Sequence, residues 1–247
     1  MHNLFLTIFY QPILNLLVFL HGTIAFSDMG IAIILLTAII KLILWPLNSK
    51  SIKAQKQLQD MQPKLNSLKS KFKDDKVGLS QATMEMYKEH KINPFSSCLP
   101  LLVQFPFLIA VYQVFRDGVN NKLDLVYPFI SHPGNLNMIS LGFLDLGKPN
   151  VYLAILAGLA QFWQAKMMMA KKPEKKSEET KDENMAAIMS KQMLYFMPAI
   201  TVFIGISLPG GLTLYWFVMT LFTALQQLLI FKKKDINTGI VEGEVVK

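Results

Sequence analysis

One charged side chain stands alone in a hydrocarbon-compatible run. It is Lys41, in Gly30 to Asn48, GIAIILLTAIIKLILWPLN. An ammonium at such depth has two chemistries open to it: it snorkels, its stem lying along the helix while the charge reaches the headgroups, or it faces a water-filled cavity and attracts an anion there. Thr37 lies one helical turn earlier on the same face. Other apolar runs carry Gln104, then Gln161 and Gln164, then Thr213, Trp216, Thr220, Thr223 and Gln227. The last five recur at 3,4,3,4 spacing, a polar stripe down one side of a helix. Taken singly, each amide or hydroxyl reads as hydrogen-bonding glue between helices, worth about 1 kcal/mol in a membrane. No Asp or Glu falls in any of these runs, so the lysine charge calls for water or a visiting acidic group.

Covalent chemistry finds no support. His2, His21, His90 and His132 all lie outside the apolar runs, Cys98 is the single cysteine, and no phosphate-binding loop is present. No catalytic residue, metal site, cofactor or small-molecule substrate is therefore expected.

The elements that must position these residues follow from hydropathy. The chain has 247 residues, 52% of them hydrophobic, and a mean hydropathy of +0.33, the profile of a small polytopic membrane protein. Spans are expected at about 29–47, 95–115, 149–168, 192–208 and 211–231. The first holds 19 residues, roughly 28 Å of helix, close to the ~30 Å bilayer core. Residues 48–93 change character, with ten Lys against five Asp and Glu. Within them Leu58, Met61, Leu65, Leu68 and Phe72 draw a helix-packing seam, Asp74 to Gly78 turns, and a shorter stripe of Leu79, Thr83, Met86 and His90 follows. This predicts a cytosolic helical hairpin, with a kink or restart at Pro63. Residues 169–191 form a charged cytosolic loop too polar to fold alone, and 232–247 a basic tail. In residues 1–26, Asn3, Thr7, Gln11 and Asn15 recur every four positions, which reads as an N-terminal amphipathic helix in the outer interface; the alternative is a sixth span.

Lysine placement orients the whole. The hairpin, the middle loop and the tail are lysine-rich, whereas no Lys or Arg precedes Lys41. The N-terminus is then outside and the C-terminus cytosolic, with five spans. The net charge of +8 points to anionic lipid or an RNA-rich partner at the cytosolic face, or to the positive-inside signal alone.

The run GIAIILLTAIIKLILWPLNSKSIKAQKQLQDMQPKLNSLKSKFKDD resembles the first core span and cytosolic hairpin of the YidC/Oxa/Alb membrane protein insertases. NPFSSCLPLLVQFPFLIAVYQVF looks like their second span, and FWQAKMMM followed by YFMPAITVFIGISLPGGLTLYWFVMTLFTALQQ like the end of their third and their last two. The resemblance covers roughly residues 25–231. It implies an all-α core of five transmembrane helices enclosing a hydrophilic groove, open to cytosol and lipid and closed outside. It also implies groove roles for Lys41, where the family has arginine, and for Thr37, Gln104, Gln164 and Trp216. Gln161, Tyr215, Thr213 and Thr220 are further groove candidates. Unlike a guanidinium, a lysine ammonium gives up its proton when desolvated strongly enough, so the Lys-for-Arg exchange bears on the groove charge.

The expected function is insertion and chaperoning of nascent membrane proteins at a bacterial plasma membrane. Lys41 attracts the hydrophilic flank of the substrate, and hydrophobic transfer drives the apolar segment into lipid. The ribosome and anionic lipids are expected partners; action alone and action beside the Sec translocon both stay open. A short form is expected, with no large extracytoplasmic domain and no transit peptide ahead of the core. The competing reading is a channel or transporter with a buried lysine. An intramembrane enzyme is the weakest of the three.

Overall fold

The computed structural model describes residues 2–72, 75–93, 99–117, 119–131, 136–168 and 192–238. The expected middle loop 169–191, Cys98 and the end of the tail lie outside these. Chain contacts divide the protein into two compact units: Met1–Trp45 with Leu101–Gln161 and Pro198–Phe222, and Pro46–Pro100 with Phe162–Met197 and Thr223–Lys247.

The first unit begins with a single turn, α1 (His2–Phe5), a π-helical segment (Leu6–Tyr10) and α2 (Gln11–Thr23). Pro12 sits in the first turn of α2, where its missing N–H is least costly. Leu6–Thr23 is long and apolar enough to cross a membrane, which is what the alternative of a further span requires. The stripe divides: Thr7 is exposed, as an interfacial helix would present it, while Gln11 and Asn15 turn inward. Asn15 is 2% exposed, donates to the Leu125 carbonyl at 3.1 Å and accepts the Tyr127 N–H at 2.6 Å, and Gln11 also donates to Leu125 at 3.2 Å. The physical reason is the connection after the second apolar helix, a 3-10 helix (Val119–Leu125) and the turn behind it. Its backbone groups lie against α2 and need partners in place of water.

The chain reverses through Phe26 and Ser27, both in the left-handed region, into α3 (Met29–Asp60). Asp28 caps that helix, its carboxylate accepting the Ile31 N–H at 3.0 Å. The same carboxylate accepts the Ser140 hydroxyl at 2.7 Å and the Leu141 N–H at 2.6 Å from a short antiparallel hairpin, β1 (Ile139–Ser140) and β2 (Leu144–Asp145). A side chain at Gly30 would collide with Ser140, so glycine is what lets the hairpin rest on the first turn of α3.

After α4 (Gln62–Lys71) and α5 (Lys76–Glu89), which belong to the second unit, the second apolar helix is α6 (Leu99–Arg116), with Pro106 inside it. Helices α7 (Val151–Met167), α8 (Met197–Gly205) and α9 (Gly210–Thr238) follow. Small residues bring α7 and α8 together: a Cβ at Gly158 would strike Val202, and one at Gly205 would come within 2.9 Å of Ala154. The turn into α9 is tied to the segment after the β-hairpin, Gly210 N–H donating to Lys148 at 2.9 Å and Gly211 N–H to Leu146 at 2.8 Å. Leu14, Leu17, Ile33, Leu36, Val111 and Tyr215 are among the core residues these helices bury.

The second unit holds the later half of α3, then α4 (Gln62–Lys71) and α5 (Lys76–Glu89). The restart at Pro63 is where the sequence puts it: α3 ends at Asp60 and Pro63 occupies the first turn of α4. Asp75 caps α5 by accepting the Gly78 N–H at 2.8 Å, and Met61 of the expected seam and Met86 of the shorter stripe are buried. Pro46 leaves α3 unbroken, so the first apolar run continues as one helix for 32 residues.

Of the five expected spans, the runs in α3 and α9 are long and apolar enough to cross a membrane; Leu102–Arg116 and Leu194–Gly205 are shorter apolar helices.

Candidate functional site

On α3, Lys41 is 5% exposed and Thr37 fully buried, while Leu42 and Ile43 are 69% and 68% exposed. The helix therefore turns its Thr37–Lys41 face into the protein and its leucine–isoleucine face out. The Thr37 hydroxyl donates to the Ile33 carbonyl at 2.6 Å, which satisfies it within its own helix.

Two amides found in the sequence make contacts between helices. Gln104 of α6 donates through Nε2 to the Tyr215 hydroxyl of α9 at 2.6 Å, and Tyr215 is 1% exposed. Gln161 of α7 accepts the Thr201 hydroxyl of α8. Thr201 is 2% exposed and had no place among the sequence candidates. The available signal was its polarity within the apolar MPAITVFIG segment.

The stripe on α9 divides. Thr213 donates to the Pro209 and Gly205 carbonyls, both at 3.3 Å, and Thr220 to the Trp216 carbonyl at 2.9 Å, so both hydroxyls serve nearby backbone. Trp216 is half-buried. Gln164 is half-buried too, and belongs to the second unit.

That second unit has a polar cluster of its own. Asn48, Ser51, Gln226 and Gln227 are all at most 5% exposed, and Gln226 donates to the Ser49 hydroxyl at 2.9 Å. The Asn48 amide nitrogen and the Gln227 amide oxygen are buried without a hydrogen-bond partner among the described residues. Gln227 was visible as the end of the stripe; Asn48, Ser51 and Gln226 were not. The signal for Asn48 and Ser51 was a polar run, NSKS, directly after an apolar one. Buried polar atoms of this kind are costly until water or a polar guest meets them.

Apolar helices with outward-facing Leu and Ile, an enclosed ammonium and amides that join helix to helix define an all-α membrane protein. Residues 19–237 match the family described as 60Kd inner membrane protein. The chain belongs to that family, the YidC/Oxa family of inner membrane proteins. It is 35% identical over 207 residues to the membrane protein insertase YidC of Fusobacterium nucleatum, covering 84% of this chain and 88% of that protein. Against the membrane protein insertases YidC of Tolumonas auensis and Pelobacter propionicus it is 34% identical in each case, over 91% and 92% of this chain. It spans only 36% and 39% of the length of those two relatives.

Proposed function

We propose that this protein is a membrane protein insertase that moves nascent membrane segments from the cytosol into the bilayer through a hydrophilic groove. The observation that carries the reading is the enclosure of Lys41 on the inward face of α3, next to Thr37, in a chain whose relatives are named insertases. A hydrophilic flank bearing an acidic residue crosses less hydrocarbon when water and a cation wait part-way, and the apolar segment then partitions into lipid without nucleotide hydrolysis. Gln104, Gln161, Gln164, Tyr215, Trp216, Thr213 and Thr220 are the proposed polar lining. The hairpin α4–α5 receives the substrate on the cytosolic side of a bacterial plasma membrane, its lysines facing ribosomal RNA or anionic lipid.

The test is insertion of a single-span protein with an acidic translocated tail into liposomes carrying wild type, Lys41→Arg or Lys41→Ala. A charged residue at membrane depth costs about 2.5–3.5 kcal/mol on insertion scales, so losing even half of that compensation slows insertion roughly tenfold. Wild type and Lys41→Arg are expected to insert the acidic tail at similar rates, Lys41→Ala about tenfold more slowly, with a neutral-tailed substrate hardly affected. Equal rates for Lys41→Ala and wild type on the acidic substrate refute the role of the lysine.

A further inference from the structure

Three large apolar side chains of the first unit stand uncovered near the start of α3. Phe26 is 92% exposed, Leu141 67% and Phe143 78%. Phe26 lies two residues before Asp28, whose carboxylate accepts the Leu141 N–H at 2.6 Å and the Ser140 hydroxyl at 2.7 Å. The turn before α3 and the tip of the β-hairpin therefore meet at Asp28.

Their backbone makes this exposure expensive in water. The Phe143 N–H donates to the Ser140 carbonyl at 3.2 Å, closing a turn whose central residues, Leu141 (φ 52°) and Gly142 (φ 80°), are both left-handed. Hairpin turns with two such residues favour Asn or Asp before the glycine, because a short polar side chain tolerates that region. Here a leucine takes the place. Phe26 (φ 51°) is left-handed as well. A large apolar residue in this region bears backbone strain, and in water it bears the hydration of its side chain too. Transfer of the side chain into hydrocarbon offsets both.

The surroundings point to lipid as the cover. The apolar run begins at Met29, directly after Asp28, and its helix nearly matches the bilayer core of about 30 Å, so Asp28 falls at headgroup level. The segment Ile139 to Leu144, ISLGFL, has no charged residue, and beside it Lys148 pairs with Asp145 at 2.9 Å. From β2 the chain runs into α7, whose first turn exposes Val151 and Tyr152, so the uncovered apolar surface continues from the hairpin onto that helix.

We propose that the hairpin tip, Leu141 and Phe143, inserts together with Phe26 into the leaflet at the start of α3, which is the outer leaflet in the orientation that lysine placement gives. The side chains reach the headgroup–acyl boundary, the depth of about 5–10 Å at which interfacial apolar faces lie.

Collision accessibility of a nitroxide tests this. The label is placed at Phe26→Cys, Phe143→Cys or Lys148→Cys, each with Cys98→Ser, in the full chain at one copy per lipid nanodisc. Oxygen partitions into lipid and a neutral nickel chelate stays in water, so the ratio of their collision rates reads depth. Labels at Phe26→Cys and Phe143→Cys are expected to meet oxygen more often than nickel, and the label at exposed Lys148→Cys the reverse. Adding Leu141→Asn to the Phe143→Cys chain should shift its label toward water. Asparagine suits the left-handed turn, so the hairpin persists while its tip loses the leucine. Depth is read without any substrate, so the outcome is independent of the Lys41 groove. A Phe143→Cys label as open to nickel as the Lys148→Cys label, or one unmoved by Leu141→Asn, overturns the insertion. Water exposure at one copy per disc that gives way to shielding from both reagents at two copies assigns the tip to a second copy of the chain instead.

Discussion

Replacing Asp28 by alanine should detach the β-hairpin from the start of the helix that carries Lys41. Among the hydrogen bonds the carboxylate accepts are those from Ser140 at 2.7 Å, Leu141 at 2.6 Å and Ile31 at 3.0 Å. Losing the bond to Ile31 removes the helix cap, about 1 kcal/mol. The two bonds to the hairpin are charge-assisted but partly solvated, so about 0.5–1 kcal/mol each is the appropriate scale. The expected cost of Asp28→Ala is therefore about 2–3 kcal/mol, and of Asp28→Asn, which keeps an acceptor but loses the charge, about 1 kcal/mol. Reversible unfolding in mixed micelles measures the sum. Hydrogen exchange at the Leu141 amide reads the latch itself and should quicken about tenfold or more in Asp28→Ala.

The pH dependence has a definite sign. Burial alone would raise the Asp28 carboxyl, but hydrogen bonds from Leu141, Ser140, Ile31 and Gly30 outweigh it and hold the group below its ordinary value. A group whose pKa is lower folded than unfolded contributes fully above its unfolded pKa of about 3.9, and that contribution is lost as pH falls through the folded value. Wild type and Asp28→Asn should thus differ by a constant amount from pH 7 to about 5 and converge in stronger acid. Unchanged Leu141 exchange in Asp28→Ala, or strictly additive effects of Asp28→Ala and Ser140→Ala in a double-mutant cycle, would sink the reasoning.

Three further outcomes follow from the helices. Tyr215→Phe strands the Gln104 amide, which should cost about 1 kcal/mol in unfolding, with Gln104→Leu restoring much of it in the double variant. Gly158→Leu drives a side chain into Val202 and toward the Pro198 carbonyl at 3.2 Å, an overpacking expected to cost about 1–3 kcal/mol. Gly22→Ala, with nothing within 4 Å of the new carbon, should be neutral or stabilising by up to about 1 kcal/mol.

Much of this protein is legible along the chain because membrane burial is a local property. A run such as Gly30 to Asn48 must be helical in lipid, since no other way of pairing its backbone exists there, and one lysine in it stands out against every neighbour. The restart at Pro63 is equally local, being a missing N–H and a ring clash. The family was legible too, because its motifs lie in contiguous runs. The facing of polar groups was not. Asn15 belongs to a stripe that looks interfacial, yet its amide serves a turn 110 residues away, and nothing near Asn15 in the chain announces those carbonyls and amides.

The sequence by itself determined which segments are apolar helices, where the lysine-rich hairpin lies and that Lys41 falls within an apolar run, since hydropathy and proline geometry act through adjacent residues. Only the tertiary structure decided that Gln104 answers Tyr215 across 111 residues, that Gln161 answers Thr201, and that Asp28 holds a hairpin as well as a helix end. A hydrogen-bond partner is chosen by which surfaces meet, and that choice depends on the packing of whole helices at once.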